Sequence, residues 1–174
     1  MIRSVVALAG VAVLAGCGGV GDAVKRSGGP EACPAGADEL FVKDILPTPP
    51  PGTEIVAADP KTAEPIVEGL RKDAGGSMRS IRTRVVAEPD RRYGTLVVVM
   101  NADERMAGHD MVLGAKESGD EIQDITIAGE EAALVVQPDG AAAVGSVGDC
   151  AGVALYAATE AEVRAVAGKL QRRD

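Results

Sequence analysis

The chain has 174 residues and a formal net charge of −8, from 18 basic and 26 acidic side chains. That length fits one domain of ordinary size plus a targeting segment and is too short for two substantial cores. The acidic balance, with its arginines interrupted rather than clustered, speaks against nucleic acid as a partner, and with 2% aromatic residues a core has to be built from Val, Ala, Leu and Ile.

Residues 1–16 have the outline of a signal peptide. Arg3 supplies a positive start, positions 5–14 form an apolar run, and Ala15 and Gly16 are the small residues that precede a cleavage point. A membrane-spanning helix needs about 20 apolar residues, whereas this run stops at Gly16, Gly18 and Gly19. The tetrapeptide Leu14-Ala15-Gly16-Cys17 then resembles the lipobox of bacterial lipoproteins at all four positions. The resemblance implies cleavage before Cys17, a diacylglyceryl group on its thiol and often a further acyl chain, such as palmitate, on the new amino terminus. Several acyl chains give stable anchoring where one is marginal. It further implies a protein held on the extracytoplasmic face of the cell membrane, with the membrane as its first partner and other envelope proteins as further candidates. The bias toward Arg, Ala, Gly and Val with few Lys agrees with a high-GC organism, and the short strands from Ile125 followed by a C-terminal amphipathic helix resemble small actinobacterial lipoprotein domains. The lipobox resemblance is confined to the targeting segment and is silent about the domain's activity.

Residues 17–32 carry Gly18, Gly19, Gly21, Gly28 and Gly29 with Ser27 and show no usable hydrophobic period. They read as a lipidated Cys followed by a flexible tether with an r.m.s. span of roughly 20 Å. Gly19-Val20-Gly21 is no dinucleotide loop, because it lacks a preceding strand and Val24 stands where the third Gly belongs.

The domain is expected over 33–174. Pro47-Thr48-Pro49-Pro50-Pro51-Gly52 predicts extended, polyproline-like backbone, read as a rigid connector. Residues 54–58 form a short strand-like run. Asp59-Pro60-Lys61-Thr62 reads as a helix start, with Pro65 tolerated in the first turn if Thr62 is the N-cap, Ala63, Ile66, Val67 and Leu70 on one face and Gly75-Gly76 ending it. Residues 80–88 and 93–100 predict paired antiparallel strands joined at Pro89-Asp90-Arg91-Arg92. In the first strand Ile81, Thr83 and Val85 alternate with Arg82 and Arg84, which predicts one buried and one wet face. Arg79, Arg82 and Arg84, with Arg91 and Arg92 nearby, therefore read as solvated rather than as a binding patch.

Residues 101–119 predict a short helix over 102–107 and then a strand over 111–115. Strands are predicted at 125–128, 132–137, 141–147 and 152–157. Turns are expected at Gly129-Glu130-Glu131, Pro138-Asp139-Gly140 and Gly148-Asp149. The chain closes with Thr159-Glu160-Ala161-Glu162, which has the form of a capping box. Val163, Val166, Ala167 and Leu170 supply the apolar face of the helix, and Lys169, Arg172 and Arg173 suit its C-terminus. The run 55–58 with Ile66, Val67 and Leu70 resembles 155–158 with Val166, Ala167 and Leu170 at an offset of about 100, so a degenerate duplication competes with ordinary patterning as the explanation.

With Cys17 assigned to lipid, Cys33 and Cys150 remain, and an exported pair is most simply a disulfide. Two distant Cys and one His are too few for a zinc site. His109 lies beside Asp110 and near Asp103 and Glu104, so an acid-base or metal cluster can be drawn in a stretch that also has the composition of a polar loop. Glu117, Asp120, Glu121 and Asp124 lack the ligand spacing of a calcium loop and read as a solvated turn. No nucleophile elbow, Walker loop or zinc-protease motif occurs, so no catalytic residue, metal or cofactor is assigned.

The resulting expectation is a single α+β domain, an antiparallel sheet packed on one face by two amphipathic helices near 62–73 and 160–172. For function it is a lipid-anchored envelope protein with a non-catalytic binding or assembly role. The alternative is an envelope hydrolase using the acidic loop around His109. A transporter's substrate-binding component is disfavoured, since so short a domain leaves no second lobe.

Overall fold

The computed structural model describes residues 32–34, 38–73, 78–91, 93–105 and 121–173. Seven antiparallel strands form one sheet: β1 Glu54–Val56, β2 Met78–Ala87, β3 Thr95–Ala102, β4 Ile122–Ile127, β5 Glu130–Gln137, β6 Gly140–Gly148 and β7 Ala151–Ala157. Their order is β1-β2-β3-β7-β6-β5-β4. Two meanders, β1 to β3 and β4 to β7, are thus joined where β3 pairs with β7, Val97 standing opposite Leu155. Among the described residues three helices accompany the sheet: α1 Val42–Ile45, α2 Pro60–Asp73 and α3 Glu160–Ala167.

The helices do not share one face. Val163, Val166 and Ala167 of α3 and Val42 and Ile45 of α1 pack with Val97, Val99, Val153 and Leu155. Ala63, Leu70, Ile66 and Val67 of α2 pack with Leu96, Val98, Met100 and Ala154. Successive strand residues point to opposite faces, so α2 lies across the sheet from α1 and α3. An amphipathic stripe fixes that a helix is buried but not against which face, and the expected one-faced packing is corrected on that point. Covering both faces also explains why all eight positions of β3 are buried and why residues 96–100 form a continuous apolar run instead of an alternating one. β2, nearer the edge, keeps the predicted alternation, with Ile81 buried and Arg82 and Arg84 exposed.

Local chemistry moves several boundaries. α2 begins at Pro60, because the Asp59 carboxylate accepts from Lys61 N–H at 3.0 Å and its carbonyl from Thr62 and Ala63. Asp59 is therefore the cap in place of Thr62, Pro60 takes the first helical position where its missing N–H costs nothing, and Pro65 falls inside the helix. β3 continues through Asn101 and Ala102, so no helix starts at 102. Glu104 makes an isolated bridge to Ala32. The predicted strand over 111–115 lies outside the described residues. The β4–β5 turn is Ala128-Gly129, one residue before the expected position. Ile127 pairs with Glu130, and both turn residues have positive φ, 52° and 87°, the hand that matches the twist of a two-residue hairpin.

The capping box at α3 is formed as predicted: Thr159 Oγ1 accepts from Glu162 N–H at 3.3 Å, and the Glu162 carboxylate takes Thr159 N–H at 3.1 Å. The helix stops at Ala167, short of 172, although Leu170 beyond it is still buried. The two units compared as a possible duplication occupy different places, β1 at a sheet edge and β7 at its centre.

Candidate functional site

The features of chemical interest gather where residues 32–46 meet the sheet. Cys33 and Cys150 are joined in a disulfide across a separation of 117 residues, Cα to Cα 5.9 Å. The bridge ties that segment to the β6–β7 turn. It sits in a backbone frame: Cys33 N–H donates to the Asp103 carbonyl at 2.9 Å, and Ala102 N–H donates to the Cys150 carbonyl at 3.0 Å.

Asn101 holds the next part of the segment. Its side chain is buried at the end of β3. Oδ1 accepts from Leu40 N–H at 2.9 Å, while Nδ2 donates to the Leu40 carbonyl at 3.1 Å and to Ser80 Oγ at 3.2 Å. A primary amide offers a donor and an acceptor together, so it can satisfy both the N–H and the carbonyl of one residue. One residue further on, Phe41 opens α1, its N–H capped by the Asp44 carboxylate at 2.8 Å.

The C-terminus closes the other side. Gln171 N–H donates to the Ile45 carbonyl and Arg173 N–H to the Val147 carbonyl, both at 2.8 Å. A Cβ on Gly148 would stand 2.3 Å from the Arg173 carbonyl, so only glycine lets the two backbones cross there. Arg173 Nε donates to the Asp44 carbonyl at 2.7 Å. Arg172 bridges Glu130 and Asp149, and Arg105 reaches Asp149 at 2.9 Å. These ion pairs are half exposed, and each contributes under about 1 kcal/mol.

Over α1, Phe41 is exposed (41%), with the Arg82 guanidinium 5.2 Å and the Lys43 ammonium 5.9 Å from its ring centroid, both within cation–π range. Arg82 also pairs with Glu39 at 2.6 Å. The hydrogen bond from Arg82 is the main reason the Glu39 carboxyl titrates below its ordinary range. Ser80 and the charges of Arg82 and Arg79 add to that, and partial desolvation works the other way. Arg79 occupies the irregularity at the start of β2, where Met78 pairs with Ala102 and Ser80 with Asn101. Its Nε and Nη2 are closed off from solvent with no hydrogen-bond partner among the described residues. Two buried guanidinium nitrogens without a partner are uncommon in folded proteins.

Of the residues singled out in the sequence, the structure brings Cys33 and Cys150 together. Asp103 and Glu104 serve the junction through their backbones. Cys17, His109, Asp110, Glu117 and Asp120 lie outside the described residues, while Glu121 and Asp124 are exposed. Among the described residues no group of three or more His, Cys, Asp or Glu is placed to hold a metal ion, and no helix is long and apolar enough to cross a membrane. Asn101 and Phe41 were not marked by sequence reasoning, and Arg79, read there as solvated, instead has two guanidinium nitrogens closed off from solvent. A lone Asn in the apolar run of β3 was the available signal for the first, whereas the stacking of Arg82 on Phe41 joins positions far apart in the chain. No protein-family model, curated protein or solved structure matches the chain.

Proposed function

We propose that the protein is a lipoprotein of the bacterial cell envelope, anchored through Cys17 on the extracytoplasmic face, whose domain serves a non-catalytic binding or assembly role. The observation that carries the reading is the lipobox Leu14-Ala15-Gly16-Cys17 behind a charged start and an apolar run. The Cys33–Cys150 bridge supports it, since disulfides persist in oxidising compartments outside the cytosol. The framework around the junction supports it too. A chain held to a membrane at Cys17 bears on its domain through Cys33, and the bridge with the Asn101 clamp passes that attachment directly to the sheet.

Cys17→Ser tests the anchor. In cells fed a labelled fatty acid, the wild-type chain takes up label and fractionates with the membrane, while the variant does neither. A variant that is processed and retained like the wild type refutes the reading. For the role of the domain, cross-linking in intact cells followed by purification from membranes is expected to recover envelope proteins, and His109→Ala with Asp110→Ala is expected to leave that recovery and any cellular phenotype intact. Loss of phenotype with folding retained would favour the hydrolase alternative.

A further inference from the structure

The geometry points to the surface formed by Phe41, Lys43, Arg82 and Arg84 as a docking face for an anionic membrane surface, an inference that rests on the lipid-anchor reading. Three observations converge on it. First, Phe41 is the only Phe of the chain and is left exposed at the start of α1 beneath two cations. An aromatic ring flanked by Arg and Lys suits the interface of a bilayer, where the ring sits among head groups and the cations meet phosphates.

Second, the charge here runs against the rest of the molecule. Lys43, Arg82, Arg84 and Arg173 stand around α1 and the adjoining part of β2 against Asp38, Glu39 and Asp44, in a chain whose acidic side chains outnumber its basic ones by 26 to 18. Of these carboxylates, Glu39 is paired with Arg82 and Asp44 caps Phe41 N–H. Arg84 is exposed, and its guanidinium reaches only the neighbouring Thr83 carbonyl, at 2.8 Å, among the contacts described.

Third, the length of chain leading to this face is fixed. From Cys17 to Cys33 are 16 residues, which span at most roughly 55 Å when fully extended. Phe41 follows only eight residues after the bridged Cys33. A face confined so close to a bilayer experiences a high effective concentration of lipid, so a patch too weak to bind membranes alone suffices once tethered.

The chain has no Trp, so Phe41→Trp creates a single reporter in the lipidated full-length protein. Tyr93→Trp, at an exposed position (82%) beyond the opposite end of β3, is the control. Both are reconstituted in vesicles of phosphatidylcholine with or without phosphatidylglycerol, with brominated acyl chains as quencher. The expected result is blue-shifted, bromine-quenched emission from Phe41→Trp when phosphatidylglycerol is present. It is reversed by high salt and weakened about fivefold by Arg82→Gln or Arg84→Gln, and Tyr93→Trp stays unquenched. Equal quenching of the two reporters overturns the proposal, as does quenching indifferent to phosphatidylglycerol. A blue shift without quenching that rises with protein density also overturns it, in favour of contact between copies of the chain. Flotation of the same samples separates the two readings. Protein that fails to float without added phosphatidylglycerol has lost the anchor, while the comparison of reporters on vesicles containing it still decides the face.

Discussion

Removing the Cys33–Cys150 bridge by a paired Cys33→Ala, Cys150→Ala substitution should destabilise the domain mainly through its unfolded state. For a closed loop of this length the chain-entropy relation gives about 5 kcal/mol. The folded state should change little, because residues 38–46 are held independently. Val42, Ile45 and Leu46 are almost wholly buried, each worth about 1.5–3 kcal/mol, and Asn101 clamps Leu40 through two hydrogen bonds that do not involve either cysteine. Urea unfolding followed by far-ultraviolet circular dichroism should show a loss of about 3–5 kcal/mol and a larger m-value, since the open denatured chain exposes more surface. The melting temperature should fall by roughly 10–20 °C. Hydrogen exchange at the Leu40 and Gln171 amides should stay close to the limit set by global unfolding. A loss below about 1 kcal/mol with an unchanged m-value would refute the entropic account. Fast exchange at Leu40 in an otherwise folded variant would show that the bridge, and not the apolar contacts, holds the segment down.

Three further perturbations probe the same junction and the opposite face of the sheet. Asn101→Ala leaves the Leu40 N–H and carbonyl without partners and should cost about 2–4 kcal/mol in urea unfolding, whereas a loss under about 0.5 kcal/mol would mean that water replaces the clamp. Arg79→Met removes two buried guanidinium nitrogens without a partner among the described residues and should be neutral or stabilising by about 1–3 kcal/mol; a clear loss of stability would reveal a partner for Arg79. Burial pushes the Tyr156 hydroxyl up to about 12, above its ordinary value of about 10, so its ionisation is penalised in the folded state. The associated stability is complete below pH ~10 and is lost as the pH rises toward 12, amounting to at most about 2–3 kcal/mol. Tyr156→Phe should therefore lose less stability over that interval than the wild type, and parallel losses would contradict the assignment.

What the sequence made legible was local. The alternation of Ile81, Thr83 and Val85 with Arg82 and Arg84 reported a half-buried strand, and Thr159 with Glu162 reported a helix start, because both signals lie within a few residues of what they specify. The two cysteines left after Cys17 was set aside reported a bridge through chemistry alone. The cap at Asp59 was obscured by Thr62, a second acceptable cap three residues on, and only the geometry of Lys61 N–H distinguishes them. Asn101 looked like the start of a loop because a polar side chain in a strand shows its purpose only when Leu40, 61 residues away, is brought beside it. The same holds for Phe41 under Arg82 and for the buried nitrogens of Arg79. The placement of α2 and α3 on opposite faces and the strand order β1-β2-β3-β7-β6-β5-β4 depend on pairings between distant segments that no local pattern encodes.

The central claim is the anchor, and the intact mass of the protein purified from membranes tests it most directly. The prediction is a chain beginning at Cys17, heavier than residues 17–174 by a diacylglyceryl group with or without a further acyl chain, and lighter by two hydrogens for the Cys33–Cys150 bridge. An unmodified mature amino terminus, or an uncleaved chain still carrying residues 1–16, would contradict it.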